Sequence, residues 1–188
     1  MESFRIAETK EKNVIDMAVS FTAMMRLFEK GSADKIKDKL NDTIKNLGNI
    51  NANSDFDHLH DLFCQWFVKN IKTAKKSERA SYGHAAKVFD IALKVYVYYC
   101  NLPTLEKAQQ LLPMLNGAVD RPILKHIIEN QNYKCFPKSS LASLTIAMID
   151  KDTYHLLQKL IIDDISRSFN NKILPVQYDD IMWRHLNR

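Results

Sequence analysis

The chain has 188 residues, enough to bury a proper core in one domain, and its 46% apolar and 26% charged residues argue against extensive disorder. With only four glycines and five prolines, and no run of β-branched alternation, an all-β fold is excluded. The balance of 27 Lys and Arg against 22 Asp and Glu, a net charge of +5, favours a polyanionic partner over a cationic one.

Three cysteines, Cys64, Cys100 and Cys135, lie far apart in no C-x-x-C pattern. This usage fits reduced thiols and not a disulfide framework. The opening MESFRIAETKEK holds no apolar run that could act as a signal peptide, and no window approaches a transmembrane span. The expectation is a cytoplasmic protein with no membrane partner.

Taken in order, Thr9 to Lys30 places Val14, Phe21 and Phe28 seven residues apart with Met17, Met24 and Met25 among them. That spacing predicts one helix with a coiled-coil-like, Met-rich seam, an adaptable surface for a protein partner or a second copy. Gly31 stops it, Ser32 caps a second helix from Ala33 to Leu47, and the two form an N-terminal hairpin over residues 1–47, on the core or projecting from it. After the loop Gly48–Ser54, Phe56, Leu59, Phe63, Trp66, Phe67, Ile71 and Ala74 mark a third, strongly amphipathic helix. Lys69, Lys72, Lys76 and Arg79 share one of its faces if it continues that far, with Lys75 beside them.

The next stretch, Ser81 to Cys100, is the most apolar long window, and the other elements are expected to pack around it. Its polar residues His84, Lys87, Asp90 and Lys94 recur at spacings of three, three and four, a single helical stripe in which Asp90 and Lys94 can pair. Beyond it, Thr104, Asp120 with Pro122, Ser139–Ser140, Asp150 or Asp152, and Pro175 each mark the start of a further helix, and Asn170–Asn171 ends the longest. The architecture read from this pattern is all-α: one domain over 1–188, a multi-helix bundle of seven or eight helices built on the 81–100 helix.

Three groups of residues carry candidate chemistry. The basic run Lys69, Lys72, Lys75, Lys76 and Arg79 has the charge to track the phosphates of RNA or DNA. Asp57, His60 and Cys64, three and four apart on one helix, have metal-ligand types, with His58 and Asp61 adjacent. No fourth ligand accompanies them, so no metal is assigned. Arg79 and His84 stand five apart at a helix start, where a histidine can move a proton near neutral pH and an arginine can hold a phosphate. The chain has no Gly-rich phosphate loop, G-x-S-x-G elbow or H-E-x-x-H motif, and no cofactor is expected.

The Arg79-to-His84 spacing resembles the R-x(4–6)-H signature of HEPN ribonucleases. The resemblance implies metal-independent RNA cleavage, with His84 handling the 2′-hydroxyl proton and Arg79 holding the scissile phosphate. The same spacing recurs at Arg121 and His126, and Ala80 stands where that family usually has a polar residue. SYGHAAKVFDIALK, AVDRPILKHI and MIDKDTYHLLQKL, in that order, resemble blocks of a family of uncharacterised helical bacterial proteins. Gly83, Ala85, Lys87 and Lys94 match its pattern, while Ala86, Val88 and Asp90 depart from it. This second resemblance implies a helical fold and a bacterial or phage origin, and no activity. The function expected from the sequence is therefore a non-catalytic helical binding protein with nucleic acid as partner, against two alternatives: the HEPN-like ribonuclease and a helical assembly module.

Overall fold

The computed structural model describes residues 6–21, 23–75, 77–130 and 144–186, and in it the most apolar window forms the central helix. Helix α4 (Tyr82–Leu93) runs without a break into a π-helical stretch, Lys94–Tyr99, and of its first twelve residues only Lys87 and Ile91 are not buried. A helix buried around nearly its whole circumference needs neighbours on several sides. They are α1 (Ile6–Phe21), α3 (Asn53–Asn70) and α7 (Lys151–Phe169). The tightest packing is aromatic. Phe63 of α3 meets Phe89 of α4 at 5.0 Å between ring centroids, and Phe56 meets the same ring at 6.3 Å.

The remaining elements are α2 (Ser32–Ile44), α5 (Leu105–Leu111), α6 (Arg121–Asn130) and α8 (Pro175–Leu186). Eight helices and no strand occur among the described residues, so the fold is an all-α bundle. None of these helices is long and apolar enough to cross a membrane. The N-terminal pair packs on the core: α1 lies against α4 and its π extension, and α2 against α3. One contiguous apolar core runs from Val14 to Met182.

Local chemistry sets several helix ends. Thr104, Asp120 and Asp150 accept from the backbone N–H groups of Lys107, Ile123 and Thr153 at 3.2, 3.0 and 2.8 Å. Asn170, with φ 50°, ends α7 in the left-handed conformation asparagine tolerates. The element expected around Ser139–Ser140 lies outside the described residues, as do Lys76 and Cys135.

The structure corrects the sequence-based expectation in four places. The first helix does not reach Lys30. It ends at Phe21, a 3₁₀ stretch Ala23–Leu27 follows, and the buried stripe of α1 is Val14, Ile15, Ala18 and Val19. The heptad through Phe28 assumed a continuous helix. Phe28 instead enters the core from an extended segment, edge-on to Phe67 at 5.3 Å, while Met24 is buried and Met17 exposed, so no methionine seam forms. Ser32 is not a cap. Gly31, at φ 83°, occupies that position and Ser32 is buried as the first helical residue. The third helix stops at Asn70, and Ile71 is extended because residues 71–74 find backbone partners elsewhere.

The fourth correction concerns the polar stripe. Asp90 and Lys94 are 4% and 8% exposed, and they do not pair. Asp90 turns to α3 and α7, where Tyr154 Oη donates to it at 2.9 Å and His60 Nε2 lies 3.3 Å away, off the line of a hydrogen bond. Lys94 donates to Asp179 and to Asp180 (2.8 Å) of α8. Charges this deep need partners on the elements that bury them, and an exposed i,i+4 pair would leave them uncompensated.

Two substitutions check this architecture. Leu93, 1% exposed, should cost about 2–5 kcal/mol as Leu93→Ala in denaturant melts. A change within about 0.5 kcal/mol would place α4 at the periphery. Gly83→Ala should also destabilise, although alanine is the better helix former by about 1 kcal/mol. A Cβ there would lie 2.5 Å from the Ile146 carbonyl oxygen and 2.6 Å from Ile149 Cβ. A gain in stability would show that residues 146–149 do not press on α4 this closely.

Candidate nucleic-acid interface

Beyond Lys69, at the end of α3, the basic run does not ride on a helix. Residues 71–75 leave α3 and pair with residues 27–29 on one side and 78–80 on the other, in a minimal antiparallel ladder with bridges Phe28–Thr73 and Lys72–Arg79. Glu29 and Ala74 N–H donate to the Lys72 and Leu27 carbonyls at 3.0 and 2.8 Å. Thr73 and Ala80 N–H donate to the Glu78 and Ile71 carbonyls at 2.8 and 2.9 Å. These last two bonds flank the Lys72–Arg79 bridge, so the two residues form a non-hydrogen-bonded pair. In such a pair the side chains stand on one face at their closest approach.

Two cations are thus set directly opposite each other, an arrangement that weakens the ladder. Lys69, at the last turn of α3, and Lys75, at the turn of the excursion, are exposed with them. Among the described residues none of these four forms an ion pair. The ladder also draws in Lys30, exposed one residue beyond Glu29, which the linear sequence did not associate with the run.

Beside the ladder lies an open groove of about 680 Å³. Lys69 and Arg79 stand on one side, and Val68, Met148 and Ile149 supply apolar lining. The wall is built from the start of α4. Ser81 Oγ donates to the Ile146 carbonyl at 3.0 Å and Gly83 N–H to that of Ile149 at 2.9 Å. The absence of a Gly83 side chain lets residues 146–149 approach, and Met148 is left 58% exposed. Lys151, distant in sequence from the basic run, also lines the groove and donates to Asp61 at 2.9 Å. Burial works to raise the Asp61 pKa, and hydrogen bonds and charge from Lys151, with Tyr82 and Gln65, outweigh it and hold the carboxyl low.

Arg79 and His84 part company here. Arg79 is exposed and lines the groove, whereas His84 is 6% exposed and does not. Ser81 Oγ accepts from His84 N–H at 3.2 Å and His84 Nδ1 accepts from Ser81 N–H at 3.2 Å, a reciprocal cap with histidine where glutamate or glutamine is usual. Accepting at Nδ1 leaves the proton on Nε2, and Phe28 packs edge-on against the ring at 5.6 Å. Burial, helped by the charge of Lys87, holds the imidazole pKa below its usual value. The histidine start of the helix is thereby accounted for as a neutral cap.

The residues with metal-ligand types do not converge either. Asp57 is exposed, whereas His60 and Cys64 point into the core, 3.6 Å apart at Nδ1 and Sγ. No cluster of three such groups suited to a metal occurs among the described residues. His60 instead stacks on Tyr154 at 5.0 Å and lies against Asp90. Burial pushes the Cys64 thiol pKa up, assisted by the Asp90 charge, which leaves it a poor nucleophile.

The His84 cap has a pH signature. The fold holds this imidazole neutral, so its contribution to stability is complete above the unfolded pKa near 6.5 and is lost as pH falls below it. Stability measured from pH 7.5 to 5 should decline more steeply in the wild type than in His84→Gln, which keeps a capping side chain without the titration. Parallel curves would show that His84 carries no such burden. Family models, curated proteins and solved structures give no match to this chain.

Proposed function

We propose that this protein is a non-catalytic binding module for the phosphate backbone of nucleic acid, engaged through the ladder that carries Lys72 and Arg79. The observation that carries the reading is the Lys72–Arg79 bridge. The fold sets two exposed cations side by side, with no ion pair to either among the described residues, where a phosphate would relieve the repulsion. Glu29, the acid across the ladder from Lys72, accepts from Ser77 Oγ at 2.7 Å instead. Lys69, Lys75 and Lys30 extend the basic surface, and the net charge of +5 favours approach of a polyanion from a distance. Arg79 enters this reading as a phosphate-binding residue. A HEPN-like cleavage site would need an accessible imidazole beside it, and the buried, capping His84 offers none.

Lys72→Glu separates this proposal from a merely structural role. It exchanges the like-charge pair with Arg79 for an opposite-charge one while setting a second acid across from Glu29, so the two changes offset and stability should stay within about 0.5 kcal/mol of the wild type. Affinity for RNA or DNA should fall. Fluorescence anisotropy at several salt concentrations should show a steep decline of wild-type binding with salt. Lys72→Glu should reduce that slope by about one for each phosphate it ceases to neutralise. No wild-type binding at low salt, or a Lys72→Glu protein that binds as the wild type does, would sink the proposal.

A further inference from the structure

We infer that the groove beside Arg79 receives a nucleobase, and that the ligand of this surface is therefore a single strand and not a duplex. The inference rests on the backbone-binding reading above and adds the class of nucleic acid. A charged ladder alone would serve any polyanion. The groove adds what a single strand has and a duplex hides, because bases splayed out of a strand expose flat apolar faces that need a partner surface.

The groove fits that need in size, lining and placement. Its volume of about 680 Å³ lies within the range of small-molecule sites. Met148 is 58% exposed and, with Val68 and Ile149, gives an apolar surface. Its thioether is polarizable and adapts to a flat ring. Tyr82 lies at the same surface, 8% exposed, with its hydroxyl donating to Asp61 at 3.3 Å, so the ring face is held still. The wall does not need to form on binding, since Ser81 and Gly83 already fix residues 146–149 against α4.

The charges are arranged for the same ligand. Arg79 belongs both to the ladder, opposite Lys72, and to the groove lining, beside Lys69. A phosphate on Arg79 therefore has its own base within reach of Met148, while the next phosphates continue along Lys72 and Lys75. Asp61, which would repel them, is neutralised by Lys151 at 2.9 Å. Asp150, the remaining acid of the groove, is engaged as the cap of α7, where it accepts from Thr153 N–H.

The test compares three probes by anisotropy: a ten-nucleotide oligodeoxythymidylate, the same strand paired with oligodeoxyadenylate, and heparin, a polyanion without bases. The wild type should bind the single strand several-fold more tightly than either of the others. Met148→Ala, at a site too exposed to threaten the fold, should remove most of that preference, about three- to tenfold, and leave duplex and heparin binding unchanged. Arg79→Glu should weaken all three. In methyl-labelled protein the Met148 resonance should shift on adding the single strand and stay in place with heparin. Equal binding of all three probes, or a preference that survives Met148→Ala, overturns the inference and leaves the backbone-binding proposal standing. Failure of the wild type to bind any of them at low salt overturns both.

Discussion

A carboxylate at the centre of the most apolar helix constrains much of this fold. Asp90 is 4% exposed, and burial pushes its pKa up, against His60, Tyr154 and Asn116, which support its charge. A group of this kind is tolerated where the elements that cover it bring polar partners. His60 comes from α3, Tyr154 from α7 and Asn116 from the segment before α6. Apolar packing alone could let α3 and α7 slide or rotate on α4 with small losses. The polar groups around Asp90, with the Tyr154 hydrogen bond first among them, select one register, because any other leaves a buried carboxyl without its partners.

The second anchor works at the other end of the same helix. From Lys94 onward the backbone takes the π form, with Cys100 N–H donating to the Val95 carbonyl five residues back at 3.1 Å. At about 100° per residue, an α-helix would set Lys94 and Tyr99 well apart around the axis. Closing i→i+5 bonds brings residues five apart onto one side. Both side chains then reach Asp180 of α8, and Lys94 also takes Asp179. Burial works against the charge of Lys94, and the two aspartates outweigh it and hold its pKa above the usual value. One helix thus carries an acid that gathers α3 and α7 and a base that gathers α8.

Against this partnered interior, the exposed Lys72–Arg79 bridge stands out because neither cation forms an ion pair among the described residues. In the core, Asp90 and Lys94 each have two or more partners, whereas Lys72 and Arg79 on the surface have each other. A fold that neutralises its costly charges and leaves like charges facing across a bridge carries a local cost to stability, as binding surfaces often do. The ladder is also tied to the core through Phe28, which packs on Phe67 and His84, so the cations are presented on a held scaffold. The neutral His84 cap belongs to that scaffold.

Periodicity and end signals made the helices legible. The all-α class, the central position of residues 81–100, the starts at Ser81, Thr104, Asp120 and Asp150 and the stop at Asn170 all follow from local rules, since the groups involved lie within a few residues of one another. The partners of buried charge were not legible. Asp90 and Lys94 look like a pair four residues apart, and burial sends one to Tyr154 and His60 and the other to α8, 30 to 86 positions away along the chain. The basic run was visible as composition, but its geometry was not. Whether residues 71–75 prolong α3 or turn back depends on the backbone groups of residues 27–29, which offer hydrogen bonds no helical register can anticipate. The groove likewise joins α3, the start of α4 and residues 146–151, which the close approach at Gly83, the Ser81 bond to Ile146 and the Lys151–Asp61 pair bring together. Sequence by itself determined which segments are helical and where charge is concentrated, because those are local properties. Tertiary structure alone decided which charges are neutralised and which are left facing solvent, because that depends on what each segment is buried against.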